Sequence, residues 1–539
     1  MAYGYLRKVL PLNIRLILIF SFFLNVYAIW WGLPSFIGWA VDEVSPQRVL
    51  WAVSNYFSNG WYDTYPPFHY YVLTILYLPF LILHKLKIVD VQSLPTYTIL
   101  FYLGRFLSVL MGTATVFVVY LCGREIYDNK SSLFAALITA LNTPFIYYSK
   151  TTNVEVPYIF WFALSLLFYI RILKHHKTAD YLLFTITCVT SVCTKDQAYG
   201  FYILTGLFII LNYYLYIKKS INNKIKIADL LQDRNIIICM FIGISLFVIY
   251  HNILFNWNGF IGHIKELAGP ASYNSSEFLD RPENNISEHL KLFWRSLTDI
   301  RRSWGWPVSI LCLLGLGATV IQNRKNYLLL SLLIPALSYY VFFISVILYS
   351  RDRFMIPICI ILSFFGGKLV AELLRDKTLA ILFSLIFFYT FLHAVSVNIL
   401  MAGDSRYYVE SWMRQNINEK AAVLSVGIKE YLPRFELQKF AKIKNVTIPE
   451  EKELEKEKID YIITTSSYNI TRFDKGTKEY EAFEKLNSEK MGYKLILQYQ
   501  SKPKWNFLDI EEIPSDSDQR YMSGNLNKIN PEIKIFKKM

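Results

Sequence analysis

The stretch PPFHYYVLTILYLPFLILHKL, residues 66–86, decides the fold. It is apolar and long enough to cross a bilayer. If it crosses, five short basic loops elsewhere in the chain fall outside the membrane. If it lies along the surface, they fall inside. The loops are CGREIYDNK (122–130), KHHKTAD (174–180), KKSINNKIKIADLLQDR (218–234), QNRKN (322–326) and LLRDKT (373–378). Short loops bearing Lys and Arg belong on the cytoplasmic side. With a cytoplasmic N-terminus, only the surface reading puts all five there. The Tyr-rich start of 66–86 and its Pro79 also suit an interfacial helix on the outer face. The stretch is therefore expected to lie at the interface.

Eleven other apolar runs remain as spans: 11–32, 98–121, 131–149, 156–174, 180–197, 198–217, 235–255, 305–322, 327–349, 354–374 and 378–400. The bulk composition agrees. The 539 residues are 54% hydrophobic and 18% charged, against about 25% charged in an average soluble protein. Residues 1–403 hold 32 Lys and Arg against 20 Asp and Glu, while 404–539 hold 24 against 22. The basic excess thus sits in loops between apolar runs. No basic face is formed, which argues against a nucleic-acid partner. Arg7, Lys8 and Arg15 flank the first run and no small-residue cleavage site follows it, so it reads as an uncleaved helix. All six cysteines lie in or beside apolar runs, where they read as small apolar residues. The polar C-terminal region has none, hence no internal disulfide.

The outer face then receives 33–97, 150–155, a long loop 256–304, the turn 349–353 and everything after about 403. Residues 404–539 read as a separate extracytoplasmic α/β domain. SRYYVESWMRQNI (405–417) has helical periodicity; 421–427, 460–468 and 493–500 read as strands. EEKELEKEKID (450–460) reads as a solvated charged stretch. Sequons at Asn274, Asn285, Asn445 and Asn469 all fall on these outer segments.

This topology gathers polar residues at one membrane boundary. Asp42 and Glu43 stand in WAVDEVSP (39–46), just after the first span. Glu155 lies at the turn before the fourth span, Lys195 and Asp196 in TKDQA, Arg351 and Arg353 in SRDRFMIP, and Arg301 and Arg302 at the end of the long loop. Charge at such a boundary needs water, a partner or a substrate to receive it. The mixture suits transfer of a sugar from a membrane lipid phosphate. The departing phosphate needs cations rather than a general acid, and an acceptor hydroxyl needs one carboxylate as base. A single carboxylate opposite the leaving group gives inversion, as in an inverting glycosidase with the acceptor replacing water. Asp42 is the expected base and the Lys/Arg set the expected phosphate ligands. For Glu155 the plain alternative is a loop carboxylate paired with Lys150. For the cations it is snorkelling to lipid headgroups.

The order DE…YPPFHYYVLTILY, then YLGRFLSVLMGTATVFVVYLCGREIY, ALITALNTPFIYYSKTTNVEVP, CTKDQA and RDRFMIP resembles the GT-C glycosyltransferases. More narrowly, it resembles the protein O-mannosyltransferase and aminoarabinose transferase superfamily, glycosyltransferase family 39. The resemblance covers about residues 1–400. It implies a polytopic α-helical GT-C fold with a soluble C-terminal domain, and a polyprenyl- or dolichyl-phosphate sugar as donor. It places the catalytic acid at Asp42, beside Glu43, and a second acid at Glu155, and it supports an interfacial helix after the Pro pair. Many relatives carry His or Lys before that pair. This chain has Tyr65, with His69 just beyond, and both are taken as pocket residues. TKDQA has an acid where relatives often have Tyr.

The expectation is an inverting membrane glycosyltransferase in the plasma (inner) membrane, or in the endoplasmic reticulum if the host is eukaryotic. Its active site would be extracytoplasmic and its acceptor a glycan, lipid or protein. Catalytic residues are Asp42, Glu43 and Glu155. Donor-phosphate ligands are Lys195, Arg353, Arg351, Arg301 and Arg302. Some GT-C enzymes use a divalent metal ion, which stands as an alternative cofactor. With only two or three candidate acids and no ligand cluster, no metal ligand is assigned. The rivals are a transporter, against which stands the lack of an inverted repeat, and a non-catalytic scaffold that binds a lipid carrier.

Overall fold

The computed structural model describes residues 12–55, 57, 65–220, 230, 232–268, 284–322, 327–508 and 524–539. Helices fall on all eleven apolar runs. Six are long and apolar enough to cross a membrane: Leu94–Ile126, Glu155–His175, Asp196–Lys218, Tyr327–Ile347, Asp352–Leu373 and the apolar part of Lys377–Asn416. A seventh arises if the bent pair Ile286–Trp304 and Trp306–Ile321 is one span. Leu12–Val26, Thr178–Thr194 and Arg234–Tyr250 are apolar but shorter. The structure therefore carries the helical membrane class without fixing the count at eleven.

Two runs depart from single helices for local reasons. Residues 131–149 break into Asn129–Ala140 and Thr143–Ser149. Asn142 caps the second piece by accepting from the Phe145 N–H at 3.0 Å, and Pro144 fills its first turn. An Asn cap followed by Pro starts a helix anew rather than continuing one. The described residues of the long loop 256–304 include the helices Trp257–Ala268 and Ile286–Trp304. The expected interfacial segment forms the helix Phe68–Lys85, with Pro79 inside it. The sequon Asn274 and most of the loops 218–234 and 322–326 lie outside the described residues.

The centre of the bundle is the helix Asp352–Leu373, packed along Asn129–Ala140 and Trp306–Gln322. The approach is close because the facing residues are small. A Cβ added to Gly367 would stand 2.6 Å from the Ala135 nitrogen. Small residues let membrane helices meet backbone to backbone.

The C-terminal region forms a five-stranded sheet in the order β2-β1-β3-β5-β4. Here β1 is Ala422–Val426, β2 Lys442–Val446, β3 Tyr461–Thr465, β4 Tyr493–Tyr499 and β5 Ile533–Lys538. The first three are parallel, and β5 runs antiparallel between β3 and β4. The expected strands at 421–427, 460–468 and 493–500 are β1, β3 and β4, and the expected helix is Ser405–Asn416. Two strands went unread. KIKNV at β2 is an edge strand with an exposed Lys442 and a half-buried Lys444, a device that blunts edges and also hides the strand pattern. IKIFKK at β5 is half basic, which masks its alternation. The stretch 450–460 contains the helix Glu451–Lys456, whose Leu454 is buried.

The domain is fastened to the loop that carries Asp42. The Trp31 indole N–H donates to Asp404 Oδ2 at 2.9 Å. The Gly32 N–H donates to the Tyr407 hydroxyl at 3.1 Å. Arg434 holds Glu410 with two side-chain N–H groups and donates a third to the Leu33 carbonyl. The Arg406 guanidinium lies 4.1 Å over the Trp39 ring.

Candidate active site

Asp42 and Glu43 are adjacent but do opposite things. Asp42 takes the left-handed backbone conformation, φ +63°, which Asp tolerates better than most side chains. The turn aims the two carboxylates apart. Glu43 is buried and meets Arg105 in a bidentate pair, Nε to Oε1 and Nη2 to Oε2, both 2.8 Å. The Thr152 N–H also donates to Glu43 Oε1 at 2.7 Å. Arg105 spends its remaining Nη1 on the Ile29 and Trp31 carbonyls, each at 2.7 Å. Glu43 thus ties the loop, the helix Leu94–Ile126 and the turn at 150–154 into one knot.

Asp42 keeps 41% of its side-chain surface open and receives Arg353 Nη1 on Oδ2 at 2.9 Å. Arg353 Nε lies 3.5 Å from Glu155 Oε1, and Lys195 Nζ lies 2.5 Å from the same oxygen. The result is a row of alternating charge: Asp42, Arg353, Glu155, Lys195. Three elements supply it besides the loop. Arg353 starts the helix Asp352–Leu373, Glu155 starts Glu155–His175, and Lys195 ends Thr178–Thr194. Tyr65 and Tyr158 close over the ammonium, their ring centroids 5.4 and 5.5 Å from Nζ. Glu155 Oε2 is buried and has no hydrogen-bond partner among the described residues.

Desolvation pushes the Asp42 carboxyl up, but Arg353, Lys528 and Arg351 outweigh it and hold the carboxyl down at about 2. Asp42 is therefore ionised at any ordinary pH, and while Arg353 holds it, it is a weak base.

The remaining expected residues lie at varied removes. Arg351 sits 5.5 Å over the Tyr349 ring, and its buried Nε has no hydrogen-bond partner among the described residues. Arg302 is buried beside Asp299, 3.9 Å away, and Arg301 lies 5.1 Å over Trp306. Asp299 accepts from the Ser350 hydroxyl at 2.6 Å, which joins the end of the long loop to the Arg351 turn. His69 is buried, and its Nε2 has no hydrogen-bond partner among the described residues. Asp196 reaches His263 Nε2 at 3.0 Å and docks the helix Trp257–Ala268 next to Lys195. Lys150 does not pair with Glu155. It is buried and donates to the Leu24 and Tyr27 carbonyls and to Asn398.

Sequence reasoning missed the residues that the C-terminal domain brings. Asn525 donates to the Val41 carbonyl at 3.2 Å across 484 residues of chain. Lys528 bears on Asp42 from the same short helix, Asn525–Lys528. No local pattern marks them. Among the described residues no group of three or more His, Cys, Asp or Glu could hold a metal ion. The two acids nearest one another in role, Asp42 and Glu155, are already bridged by a guanidinium. As arranged, the donor set does not fit a divalent ion.

The fold and the row together define a helical membrane-type chain with a charged site at one end, covered by an α/β domain. Comparison with known proteins narrows that. Residues 100–232 match the model of the family described as dolichyl-phosphate-mannose-protein mannosyltransferase, in line with the resemblance drawn from the sequence. Among solved structures, the chain is similar to ArnT from Cupriavidus metallidurans bound to undecaprenyl phosphate. That match has 11% identity, 99% of this chain and 98% of that one covered, and a TM-score of 0.48. It is similar also to the archaeal oligosaccharyltransferase AglB from Archaeoglobus fulgidus in complex with an inhibitory peptide and a dolichol-phosphate. There the identity is 13%, the coverage 92% and 74%, and the TM-score 0.45. No curated protein matches the chain.

Proposed function

We propose that this protein is an integral membrane glycosyltransferase that moves a sugar from a polyprenyl- or dolichyl-phosphate carrier to an acceptor hydroxyl, with inversion, on the extracytoplasmic side. The observation that carries the reading is the row Asp42–Arg353–Glu155–Lys195, which sets one open carboxylate against two fixed cations. The family match over 100–232 supports a lipid-phosphate sugar as donor. The topology that goes with it has eleven spans, a cytoplasmic N-terminus and the helix Phe68–Lys85 at the outer interface.

In this reading the acceptor oxygen attacks the anomeric carbon from the face opposite the phosphate. The bond from that carbon to the phosphate oxygen breaks, and its electron pair leaves with the lipid phosphate. Arg353 and Lys195 stabilise the charge that develops there. Asp42 takes the proton of the acceptor hydroxyl. Glu155 holds both cations in place, and Tyr65 shields Lys195 from solvent. Glu43 and Arg105 fix the loop on which Asp42 stands. Arg351 and Arg302 extend the positive field behind the row.

The resting geometry adds a coupling. Arg353 is shared between Asp42 and the arriving phosphate. A donor phosphate that draws the guanidinium toward itself releases Asp42 and raises its basicity. Base strength then develops when the donor is bound, and water alone meets a weak base.

The test is transfer from a panel of labelled polyprenyl-phosphate sugars by purified wild type and Asp42→Asn, with a membrane extract as acceptor source. Transfer by wild type and a loss of at least about 100-fold in the variant is expected for a removed general base. Equal transfer by both proteins discards Asp42 as the base. Lipid binding without transfer from any donor discards the enzyme.

A further inference from the structure

A second cavity lies away from the charged row, between the C-terminal sheet and the end of the helix Lys377–Ala402. It is a cleft of about 520 Å³, within the roughly 300–1,000 Å³ of small-molecule sites. Its lining mixes amides from Asn469, Gln500, Asn506 and Asn527 with an apolar flank from Leu400, Pro503 and Pro531. Lys502 and Glu532 are the charged residues of the described lining, and Glu532 accepts from Gln498 Nε2 at 2.9 Å.

Three of the amides are half used. Asn469 Oδ1 accepts from the Thr471 N–H at 3.0 Å, and Asn506 Oδ1 accepts from the Leu508 N–H at 3.0 Å. Gln500 Nε2 donates to the Asn530 carbonyl at 3.0 Å. In each case one end of the amide is fixed by the protein and the other meets no partner among the described residues, giving two NH₂ groups and one carbonyl oxygen for a ligand. The chain beside Asn506 is pinned to the helix end, the Phe507 N–H donating to Ser396 Oγ at 3.0 Å.

Oriented amides and the apolar flank of Leu400, Pro503 and Pro531 are complementary to vicinal hydroxyls and the C–H face of a pyranose ring. A phosphate would meet the Glu532 carboxylate as well as Lys502, whereas phosphate oxygens are best held by several cationic donors. We propose that this cleft binds a neutral oligosaccharide. The chain that lines it also reaches the charged row. Asn525 and Lys528 face the Asp42 loop, while Asn527, Asn530 and Glu532, on the same stretch, face the cleft. The cleft and the charged row thus share one stretch of chain, residues 525–532, the connection an acceptor seat needs.

As the seat of the acceptor, the cleft rests on the transfer reading above, and the two fail separately. The full chain in nanodiscs is titrated with neutral di- to tetrasaccharides, with acidic and phosphorylated saccharides and short peptides as comparators. Wild type, Gln500→Ala, Asn506→Ala and Asp42→Asn are compared; the first two changes lie at exposed positions outside the strands. The expected result is preferential binding of a neutral saccharide, weakened at least tenfold in Gln500→Ala and Asn506→Ala and unchanged in Asp42→Asn. No saccharide binding by wild type, tighter binding of the charged saccharides or peptides, or equal binding by the cleft variants overturns the proposal. Saccharide binding with no transfer from any donor keeps the cleft and removes the transferase. Transfer with an unaltered KM for the acceptor saccharide in both cleft variants keeps the transferase and removes the cleft as acceptor seat.

Discussion

Asp42 and Glu43 show how little adjacency means once the backbone turns between two residues. The positive φ at Asp42 sends one carboxylate to Arg353 and the other to Arg105. Two predictions follow from that division. Arg105→Met leaves Glu43 buried without its cation, a loss of about 3–5 kcal/mol for a broken buried pair. The double variant Glu43→Gln/Arg105→Met recovers part of it, and thermal unfolding in detergent reads both. Asp42→Asn, on a side chain 41% exposed, leaves the melting temperature within a few degrees of wild type.

The charge on Asp42 also sets a pH dependence. The Asp42 carboxyl is depressed, so it is ionised above about 2 in the free protein, and kcat/KM keeps no acid limb at the usual carboxylate range of about 4. Its contribution to stability is present above the unfolded pKa of about 3.9 and fades as pH falls toward the folded value. Arg353→Gln removes the charge that holds it down and moves the acid limb upward, toward the usual carboxylate range. In wild type the limb of kcat, which reports the donor-bound state, lies above that of kcat/KM. Coincident limbs in both profiles would sink the idea that donor phosphate and Asp42 share Arg353.

At the scale of elements, the helix Phe68–Lys85 carries the topology. Single cysteines in a background without native ones test it. With the helix at the outer interface, Asp90→Cys reacts with an impermeant reagent from outside and Lys130→Cys only after permeabilisation. The reverse pattern makes 66–86 a span and puts the basic loops outside. Most elements were legible because apolar runs and alternation are local signals. The breaks were less so. Asn142-Thr143-Pro144 is a helix-start signal, yet it was lost inside a run apolar enough to read as one span. The edge strand Lys442–Val446 was hidden because its lysines serve to keep the edge soluble.

At the scale of the whole molecule, the sheet domain completes the site. Arg434 joins Glu410 in the domain to the Leu33 carbonyl in the Asp42 loop. Arg434→Ala leaves Glu410 buried and unpaired, again about 3 kcal/mol or more. Hydrogen exchange in residues 33–45 rises with it, while the bundle around Asp352–Leu373 stays protected. Lys528→Met, made in the domain, also raises the acid limb of kcat/KM, by less than Arg353→Gln, because Lys528 stands behind Arg353 among the charges acting on Asp42.

The sequence by itself determined the membrane class, the polar C-terminal region with three of its five strands, and the set of charged residues that stand at the ends of apolar runs. These are properties of composition and period, read within about twenty residues at a time. Only the tertiary structure decided who meets whom. It gave Arg353 to Asp42 and Glu155 together, took Lys150 away from Glu155, withdrew Glu43 into a buried pair, and brought Asn525 and Lys528 across the length of the chain to the Asp42 loop. The reason is electrostatic. Buried charges settle on whichever partner and geometry best offset desolvation, and that choice depends on helix packing and domain docking, which no local pattern records.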